Sequence, residues 1–394
     1  MEIVVSSVGS PPLGDLVRST YQGKTVLVTG HNGFVGSWLS HWLLRAGAVV
    51  VGLSLPTVPG GIAAATDLDG LVQGREVDVR DLTDVRDTVE QHQPDFVFHL
   101  AAQALVLSSY EDPLETFSTN ALGTANLLQA LRGSASTPAC VVVTSDKCYA
   151  DAHADTPHSE GDSLGGDDPY SASKAAAELI AHSFRTSFLA QDGIGVATAR
   201  AGNIVGGGDW GAHRIVPDCM NAALAGIPLE LRHPEAVRPW QHVLDAVAGY
   251  LRLGARLDGD PKGTAGAWNF GPEASAFTTV GDLVQALLAA WSELDGVDPP
   301  GPVLPTVATP HERTFLTLDS TKARRHLGWT PRLSLSDTVE WTVDWYWSSL
   351  RDDSADHRAK TVSQIDRYEQ IDKEAPTMDQ RAQPGSLVDP VTLV

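Results

Sequence analysis

The stretch that decides the fold reads Thr25-Val-Leu-Val-Thr-Gly30-His-Asn-Gly33-Phe-Val-Gly36. Its first five residues are a β-branched run that predicts a buried strand, and residues 37–46 carry the apolar spacing of a helix. A strand, a glycine turn and a helix in this order present free backbone N–H groups and a positive helix end to a pyrophosphate. Gly30 permits the tight turn, Gly33 the approach of the phosphates, and Gly36 the close packing of helix on strand. The sequence therefore predicts a dinucleotide-binding turn rather than an ordinary one.

Further apolar runs predict the neighbouring strands of the same sheet. The run 48–55 ends without the Asp or Glu expected to hold an adenosine ribose, and without the Arg that a 2′-phosphate would prefer, so NAD is favoured over NADP. Residues 76–81 predict a short third strand, with Asp78 facing the adenine. The run 95–100 leads into Ala101 and Ala102, small residues that let the backbone lie against a cofactor.

A second stretch, residues 140–174, predicts the reactive centre. It begins with the apolar run Cys140-Val-Val-Val-Thr144 and continues into Ser145-Asp146-Lys147, at the carboxyl end of a strand, where open α/β sheets keep their ligands. The later Tyr170-Ser-Ala-Ser-Lys174 begins a helical pattern that places a phenol and an ammonium on one face. A nearby ammonium favours the ionised phenol, so we expect Lys174 to lower the pKa of Tyr170 and, with Ser145, to form a proton relay. The alternative for Asp146 and Lys147 is a simple salt bridge.

The remaining pattern predicts helices around the sheet and a second lobe. Asn120, in a helical pattern at 113–132, is either an ordinary helix-face amide or a clamp on nearby backbone. A strand at 195–200 enters a loop with consecutive glycines at 206–208, typical of a loop wrapped closely around something. His31, His99 and His182 are interpreted as structural. Residues 348–394, with mixed charges and few aromatics, predict a loosely docked or disordered tail.

Composition excludes several classes of partner. The chain has 394 residues, 42% apolar and 20% charged, and its 49 acidic against 28 basic residues give a net charge of −21. That charge argues against nucleic acid or an anionic membrane as the main partner. Three cysteines without metal-ligand spacing predict free thiols in a reducing cytoplasm and no metal site. No signal peptide and no membrane-spanning run are predicted.

These motifs resemble a known family. The glycine triplet together with Tyr170 and Lys174 is similar to the extended short-chain dehydrogenase/reductases that modify nucleotide-linked sugars. Residues 144–149, 164–174, 199–210 and 238–242 resemble, within that family, the CDP-glucose 4,6-dehydratases, and the Ser-Asp-Lys triplet is the most specific feature. The resemblance covers roughly residues 20–347. The chain departs from the family at Leu107 and Ser108, where arginines are expected, and in the loop 150–160.

The resemblance implies an α/β fold, a Rossmann-type doubly wound parallel sheet with a smaller C-terminal α/β substrate-binding lobe. The expected division is 20–202 for the NAD-binding domain, with a return segment at about 237–268, then 203–347 for the nucleotide-sugar lobe and 348–394 for the polar tail. It also implies a homodimer or a dimer of dimers through helices at 113–132 and 170–190.

The predicted site residues form three groups. The catalytic group is Ser145, Asp146, Lys147, Tyr170 and Lys174. The residues expected to contact NAD are Gly30, Asn32, Gly33, Phe34, Val35, Gly36, Ser54, Asp78, Val79, Leu100, Ala101, Ala102, Gln103, Thr119, Tyr170 and Lys174. The residues expected to contact the nucleotide sugar are Gln103, Ser145, Asn203, Arg214, Arg238 and His242.

The implied reaction removes water across C5 and C6 of a hexose after C4 is oxidised, and then returns the hydride to C6. Tyr170 is the expected base for the C4 hydroxyl, and Asp146 is the expected acid at C6. Lys147 is either the base for the C5 proton or an electrostatic stabiliser of the enolate. The alternatives are a 4-epimerase, decarboxylase or ketoreductase on the same scaffold, and a dinucleotide sensor without catalysis.

Overall fold

A computed structural model describes residues 11–150, 156–273, 277–304, 317–352 and 354–375. Within them, a seven-stranded sheet has the order β10-β6-β5-β4-β1-β2-β3, and all its strands are parallel. The strands are β1 (Thr25–Thr29), β2 (Val49–Ser54), β3 (Gln73–Glu76), β4 (Phe96–His99), β5 (Ala139–Val143), β6 (Gly195–Ala201), β7 (Ile204–Val205), β8 (Val237–Pro239), β9 (Gln241–His242), β10 (Gly266–Phe270) and β11 (Phe277–Thr279). The predicted doubly wound α/β fold is confirmed.

Helices cover both faces of this sheet and build the second lobe. They are α1 (Leu13–Tyr21), α2 (Phe34–Arg45), α3 (Ile62–Ala65), α4 (Leu82–His92), α5 (Val106–Glu111), α6 (Pro113–Phe117), α7 (Gly123–Leu131), α8 (Pro169–Phe184), α9 (Ile215–Ala225), α10 (Val243–Gly259), α11 (Pro261–Thr264), α12 (Val280–Asp295), α13 (Thr321–Leu327), α14 (Leu335–Arg351) and α15 (His357–Glu374). Short 3₁₀ turns at Leu68–Gly70 and Asp146–Cys148 and π-helical turns at Ser118–Leu122 and Arg185–Leu189 interrupt the connections. No helix in these described ranges is both long and apolar enough to cross a bilayer.

The sheet separates two apolar cores because successive strand residues point to opposite faces. In β1, Val26 and Val28 belong to the core under α2 and α10, and Leu27 belongs to the core under α4 and α7. Both faces are therefore buried, which explains why these strands read as continuous apolar runs. The third strand differs from its prediction: β3 ends at Glu76, and Val77 and Val79 lie beyond it as buried residues of the following connection.

The order of the strands places a crevice beside β1. The chain begins in β1, adds β2 and β3 on one side, and then crosses to β4, β5, β6 and β10 on the other. The carboxyl ends of β1 and β4 diverge at this reversal, which is where open α/β sheets bind ligands. The second lobe combines the antiparallel pair β8–β11 with α9, α12 and α14, and α10 and β10 return to the sheet between its parts.

The C-terminal region differs from its prediction. Residues 357–374 form α15, which packs on α1, α2 and α14, instead of a loose tail. Its Asp372 accepts hydrogen bonds from the backbone N–H of Leu13 at 2.7 Å and from Arg332 Nε at 2.8 Å, and Tyr368 donates to Asp245 at 2.7 Å. Polar contacts at buried positions thus dock a helix whose composition is hydrophilic. Residues 376–394 lie outside the described residues.

Candidate active site

The glycine turn forms a cradle that side chains would fill. Gly30 has φ +70°, and a Cβ added there would lie 2.8 Å from the backbone N of Ala101. A Cβ on Gly36 would lie 2.0 Å from the carbonyl oxygen of Gly30. Both positions therefore require glycine, and the turn leads directly into the N-terminus of α2, which Gly33 has no side chain to cap. These features fit the pyrophosphate of a dinucleotide.

Residues after β4 complete the wall of the crevice. Leu100 to Gln103 follow the strand, and the backbone N–H of Gln103 donates to Asn120 Oδ1 at 2.8 Å while Asn120 donates back to the Gln103 carbonyl at 3.0 Å. Asn120 also donates to Ser173 in α8 at 2.8 Å. The structure thus decides between the two interpretations of Asn120: it is a clamp on backbone. It lies in the π-helical turn that also contains Thr119.

On the adenosine side, four predicted residues have partners within the protein. Ser54 is buried, and its Oγ lies 2.7 Å from His31 Nδ1. Arg80 donates to both carboxylate oxygens of Asp78, and this contact lowers the pKa of the Asp78 carboxyl. Val79 is buried against Gly123. Asn32 donates from Nδ2 to the carbonyl of Leu55 at 2.7 Å, which ties the glycine turn to the end of β2.

The predicted reactive residues meet at the carboxyl end of β5. Ser145 donates from Oγ to Asp146 Oδ1 at 2.9 Å and accepts from the backbone N–H of Lys147 at 3.2 Å. Asn203 donates to Asp146 Oδ2 at 3.2 Å. Gly202 leaves room for this carboxylate, since a Cβ there would lie 1.9 Å from Asp146 Oδ2. In the described part of the chain the ammonium of Lys147 has no carboxylate within ion-pair distance, so the salt-bridge alternative is not what the structure shows.

Helix α8 carries the predicted phenol and ammonium, and the Asp168 side chain caps its N-terminus by accepting from Ser171 N at 2.9 Å. Burial raises the pKa of Tyr170 to about 12, and a hydrogen bond with Ser145 opposes that increase. Burial also lowers the pKa of Lys174 to about 8, and its Nζ lies 3.4 Å from the carbonyl oxygen of Val143. Loss of solvation therefore dominates the pKa of Tyr170, and Lys174 does not counteract it as expected.

A buried polar network behind these residues was not predicted. Glu178, one turn beyond Lys174, accepts from Arg200 at 2.7 Å, from Thr198 at 2.8 Å and from Thr144 at 2.5 Å. Arg200 also donates to the hydroxyl of Tyr149 at 2.8 Å. The sequence contained a signal: an Arg within an apolar strand and a Glu on the inner face of a helix each need a buried partner.

Three of the residues predicted to contact the substrate are Asn203, Arg214 and Arg238. Asn203 has φ +51° and lies against Asp146. Arg214 pairs with Asp209 at 2.9 Å, and its positive charge lowers the pKa of Tyr170. Arg238 is buried and donates to the carbonyl of Val237 at 2.9 Å.

Two other residues predicted to contact the substrate, Gln103 and His242, have partners within the protein. Gln103 donates to Thr116 at 2.9 Å and to the Leu105 carbonyl. His242 is fully buried between Trp38 and Trp341 and caps α10, so its prediction as a substrate contact is replaced by a structural role.

The loop with consecutive glycines packs closely against side chains of this protein, at Trp345 and Ile62. A Cβ on Gly207 would lie 2.0 Å from the Trp345 ring, and one on Gly208 would lie 2.5 Å from Ile62. Trp38 donates to the Gly207 carbonyl at 3.0 Å. Among the described residues, no group of three or more His, Cys, Asp or Glu side chains is placed to hold a metal ion.

Comparisons with known proteins agree with this geometry. The family model described as GDP-mannose 4,6 dehydratase matches residues 27–342. A CDP-glucose 4,6-dehydratase from Salmonella typhimurium is 40% identical over 346 residues, which are 85% of this chain and 93% of that protein.

Solved structures of similar fold include a UDP-glucose 4-epimerase from Thermotoga maritima with UDP-glucose, at TM-score 0.72 and 25% identity, covering 83% of this chain and 100% of that one. A dTDP-glucose 4,6-dehydratase from Streptomyces venezuelae with NAD and TYD bound has TM-score 0.68 and 26% identity, covering 82% and 96%. The resemblance predicted from the motifs is confirmed, and the chain belongs to the GDP-mannose 4,6 dehydratase family.

Proposed function

We propose that the protein is an NAD-dependent nucleotide-sugar 4,6-dehydratase that converts CDP-glucose to CDP-4-keto-6-deoxyglucose. The observation that carries the proposal is the cluster of Ser145, Asp146 and Lys147 at the end of β5, with Tyr170 and Lys174 on the facing helix. The 40% identity to a CDP-glucose 4,6-dehydratase supports the choice of substrate. The glycine cradle and the NAD bound in a structural relative support the cofactor.

The chemistry explains why such a cluster is needed. The C5 proton of a hexose is hardly acidic, but a ketone at C4 turns the C5 carbanion into an enolate. NAD⁺ held on the glycine turn at 30–36 would supply the acceptor for the C4 hydride and the donor of that hydride to C6. The side chains must therefore remove a proton at O4, remove one at C5 and supply one to the leaving hydroxyl at C6.

Tyr170 is proposed to take the proton from the C4 hydroxyl. Burial raises the pKa of Tyr170 to about 12, so the phenol needs a nearby positive charge to act as a base at neutral pH. The positive charge of an oxidised nicotinamide would favour the phenolate and so assist this base. Ser145 donates to Asp146 and also lowers the pKa of Tyr170, so its hydroxyl is the group we propose to relay a proton between the two.

Asp146 and Lys147 are proposed to carry out the elimination. Asp146 is buried, and contacts from Ser145 and Asn203 hold its carboxyl group in place. To act as the acid at C6 it must first take up a proton, and the proton released from the C4 hydroxyl can reach it through the hydroxyl of Ser145. Lys147 is partly buried and is proposed as the base at C5; the alternative is that it stays charged and stabilises the enolate. In Lys147→Met we expect dehydration to fall by about a hundredfold or more. Full dehydration in that variant would contradict the assignment.

Product identification tests the activity. The purified protein is incubated with catalytic NAD and each of CDP-, dTDP-, UDP- and GDP-glucose, and the products are analysed by mass spectrometry and NMR. We expect loss of water, a 4-keto-6-deoxy sugar and no net consumption of reduced cofactor, with CDP-glucose the best substrate. Inversion at C4 without loss of water would identify a 4-epimerase, and NAD binding without turnover would identify a sensor.

We also propose a homodimer that works in the cytoplasm. Large apolar side chains stand exposed along α5, α6, the π-helical turn at 118–122 and α8, including Tyr110 at 64%, Leu114 at 80% and Leu179 at 59%. Such a patch marks a protein–protein contact. Leu114→Glu is expected to yield monomers in analytical ultracentrifugation, whereas Ile227→Glu, also at an exposed apolar position (56%), is expected to leave the assembly unchanged. The free, buried cysteines suit a reducing compartment.

A further inference from the structure

The adenosine side of the glycine turn lacks an acceptor from β2 itself. The strand ends at Ser54 and continues as Leu55-Pro56, so no carboxylate follows it directly. Ser54 is 5% exposed, and its hydroxyl is engaged with His31. A dinucleotide-binding sheet ordinarily has an acidic group near this point, where it accepts hydrogen bonds from the ribose hydroxyls. The question is which group of this chain takes that place.

The structure brings Asp69 to this position from a later segment. Asp69 lies in the 3₁₀ turn Leu68–Gly70, and its Oδ2 accepts from Thr57 Oγ1 at 2.7 Å. Thr57 in turn accepts from Asn32 Nδ2, in the glycine turn, at 3.1 Å. A continuous chain of hydrogen bonds therefore connects the turn that holds the pyrophosphate to the Asp69 carboxylate.

The His31 ring lies beside the same carboxylate. Its Nε2 is 3.4 Å from Asp69 Oδ1 and makes no hydrogen bond to the described residues, although the ring is only 3% exposed. The ring fits because Gly52 lies beneath it: a Cβ on Gly52 would be 2.6 Å from the imidazole. Glycine turn, β2 and Asp69 thus form one wall, while the Asp69 side chain keeps 55% of its surface exposed.

The charges around this wall suit ribose hydroxyls rather than a phosphate. Arg75 is directed to Thr88 at 3.1 Å, and Arg80 is paired with Asp78. The fork of Arg80 is therefore occupied, and the Asp69 carboxylate would repel a 2′-phosphate. A carboxylate that accepts from hydroxyls makes a charge-assisted hydrogen bond, which is stronger than a neutral one.

We propose that Asp69 accepts the hydroxyls of the adenosine ribose of NAD and thereby selects NAD over NADP. The proposal rests on the proposed function only for the identity of the cofactor. It assigns a specificity-determining role to a residue that replaces, from a separate segment, the carboxylate missing at the end of β2.

Equilibrium binding tests this role without any turnover. The full chain is freed of bound nucleotide, and NAD⁺ and NADP⁺ are titrated separately by calorimetry into the wild type, Asp69→Asn and Asp69→Ala. We expect NAD⁺ affinity to fall about tenfold or more in both variants, which is the size of one lost charge-assisted contact. NADP⁺ affinity should stay equal or rise, so that the preference for NAD⁺ collapses. Thr57→Val, which frees the carboxylate to reorient, should show a smaller loss.

Matched controls make the result decisive. Asp87→Ala removes the same charge from an exposed site on α4 and should leave both affinities unchanged. Glu76→Gln removes the exposed carboxylate at the end of β3, the competing acceptor. The proposal is overturned if the ratio of the two affinities is unchanged in Asp69→Ala, or if Glu76→Gln produces the larger loss. A wild type that binds NAD⁺ but forms no keto sugar would refute the proposed function and leave the role of Asp69 standing.

Discussion

Two buried carboxylates hold helices in place in different parts of the molecule. Glu178 fastens α8 to the neighbouring strand through Arg200 and Thr198, one turn from Lys174. Asp372 fastens α15 through Arg252, Arg332 and the backbone of Leu13, on the outside of the sheet. The chemistry of the two contacts is alike, but the first supports a helix with reacting groups and the second supports peripheral helices. We therefore expect damage at Glu178 to reduce both rate and stability, and damage at Asp372 to reduce stability alone.

The largest effect is expected from Arg200→Met. The substitution leaves Glu178 buried without its cation, so the free energy of unfolding should fall by about 3–5 kcal/mol. Because α8 loses its anchor, kcat should also fall about tenfold or more. Denaturant unfolding and product formation measure the two effects. Arg200→Lys keeps the charge but not the two-pronged guanidinium, and it should recover part of the stability and part of kcat. An Arg200→Met variant with wild-type stability and kcat would contradict the role given to Glu178.

A smaller effect, confined to stability, is expected from Asp372→Asn. The change leaves Arg252, which is 4% exposed, without a full countercharge, and we expect a loss of about 2–4 kcal/mol in the free energy of unfolding. At temperatures where the variant is folded, kcat should remain within about twofold of the wild type, since no reacting group moves. A fall in kcat as large as that of Arg200→Met would show that the two clusters are not functionally distinct.

The pH dependence of stability should separate the two regions further. Burial raises the pKa of Asp245, beneath α15, to about 6, against about 4 in an unfolded chain. Between these values the folded state binds more protons, so this group makes the free energy of unfolding fall as pH rises from about 4 to 6. Asp245→Asn removes that contribution. We expect the variant to gain about 2 kcal/mol relative to the wild type across this window in urea unfolding. A constant difference between the two proteins would contradict this.

The smallest effect is expected from Thr198→Val. It removes one of the hydroxyls that donate to Glu178, and we expect a loss of about 1 kcal/mol in the free energy of unfolding. Thr342→Val is the matched control, because the hydroxyl of Thr342 is buried and has no hydrogen-bond partner among the described residues. The control should be neutral or stabilising. Equal losses in both variants would mean that the hydroxyl of Thr198 contributes nothing to the network.

The sheet could be predicted from the sequence because its strands are continuous apolar runs. Continuous β-branched runs such as 25–29 and 140–144 arise when both faces of a strand are buried, and the glycine turn marks the start of α2. The carboxyl ends of such strands share one edge, so grouping Ser145 to Lys147 with Tyr170 and Lys174 followed from topology. The exact end of β3 could not be predicted from the sequence. Val77 and Val79 are buried in the connection that follows the strand, so their apolar character does not mark strand residues.

Other features depend on contacts that no periodicity reveals. Helix α15 buries Thr361, Gln364 and Asp372 beside a few apolar residues, so its pattern resembles that of a solvated tail. Asp69 reaches the glycine turn through the fold and not through sequence spacing. The pKa of Tyr170 depends on burial by distant segments, which the spacing to Lys174 does not encode.

The hydrogen bond from Leu13 to Asp372 joins positions 359 residues apart. During synthesis on the ribosome, α1 therefore cannot make this contact until almost the whole chain has been synthesised. Contacts of such long range close late and slow the final step of folding. The sheet can form first, and α1 and α15 can then pack together as the last helices to dock.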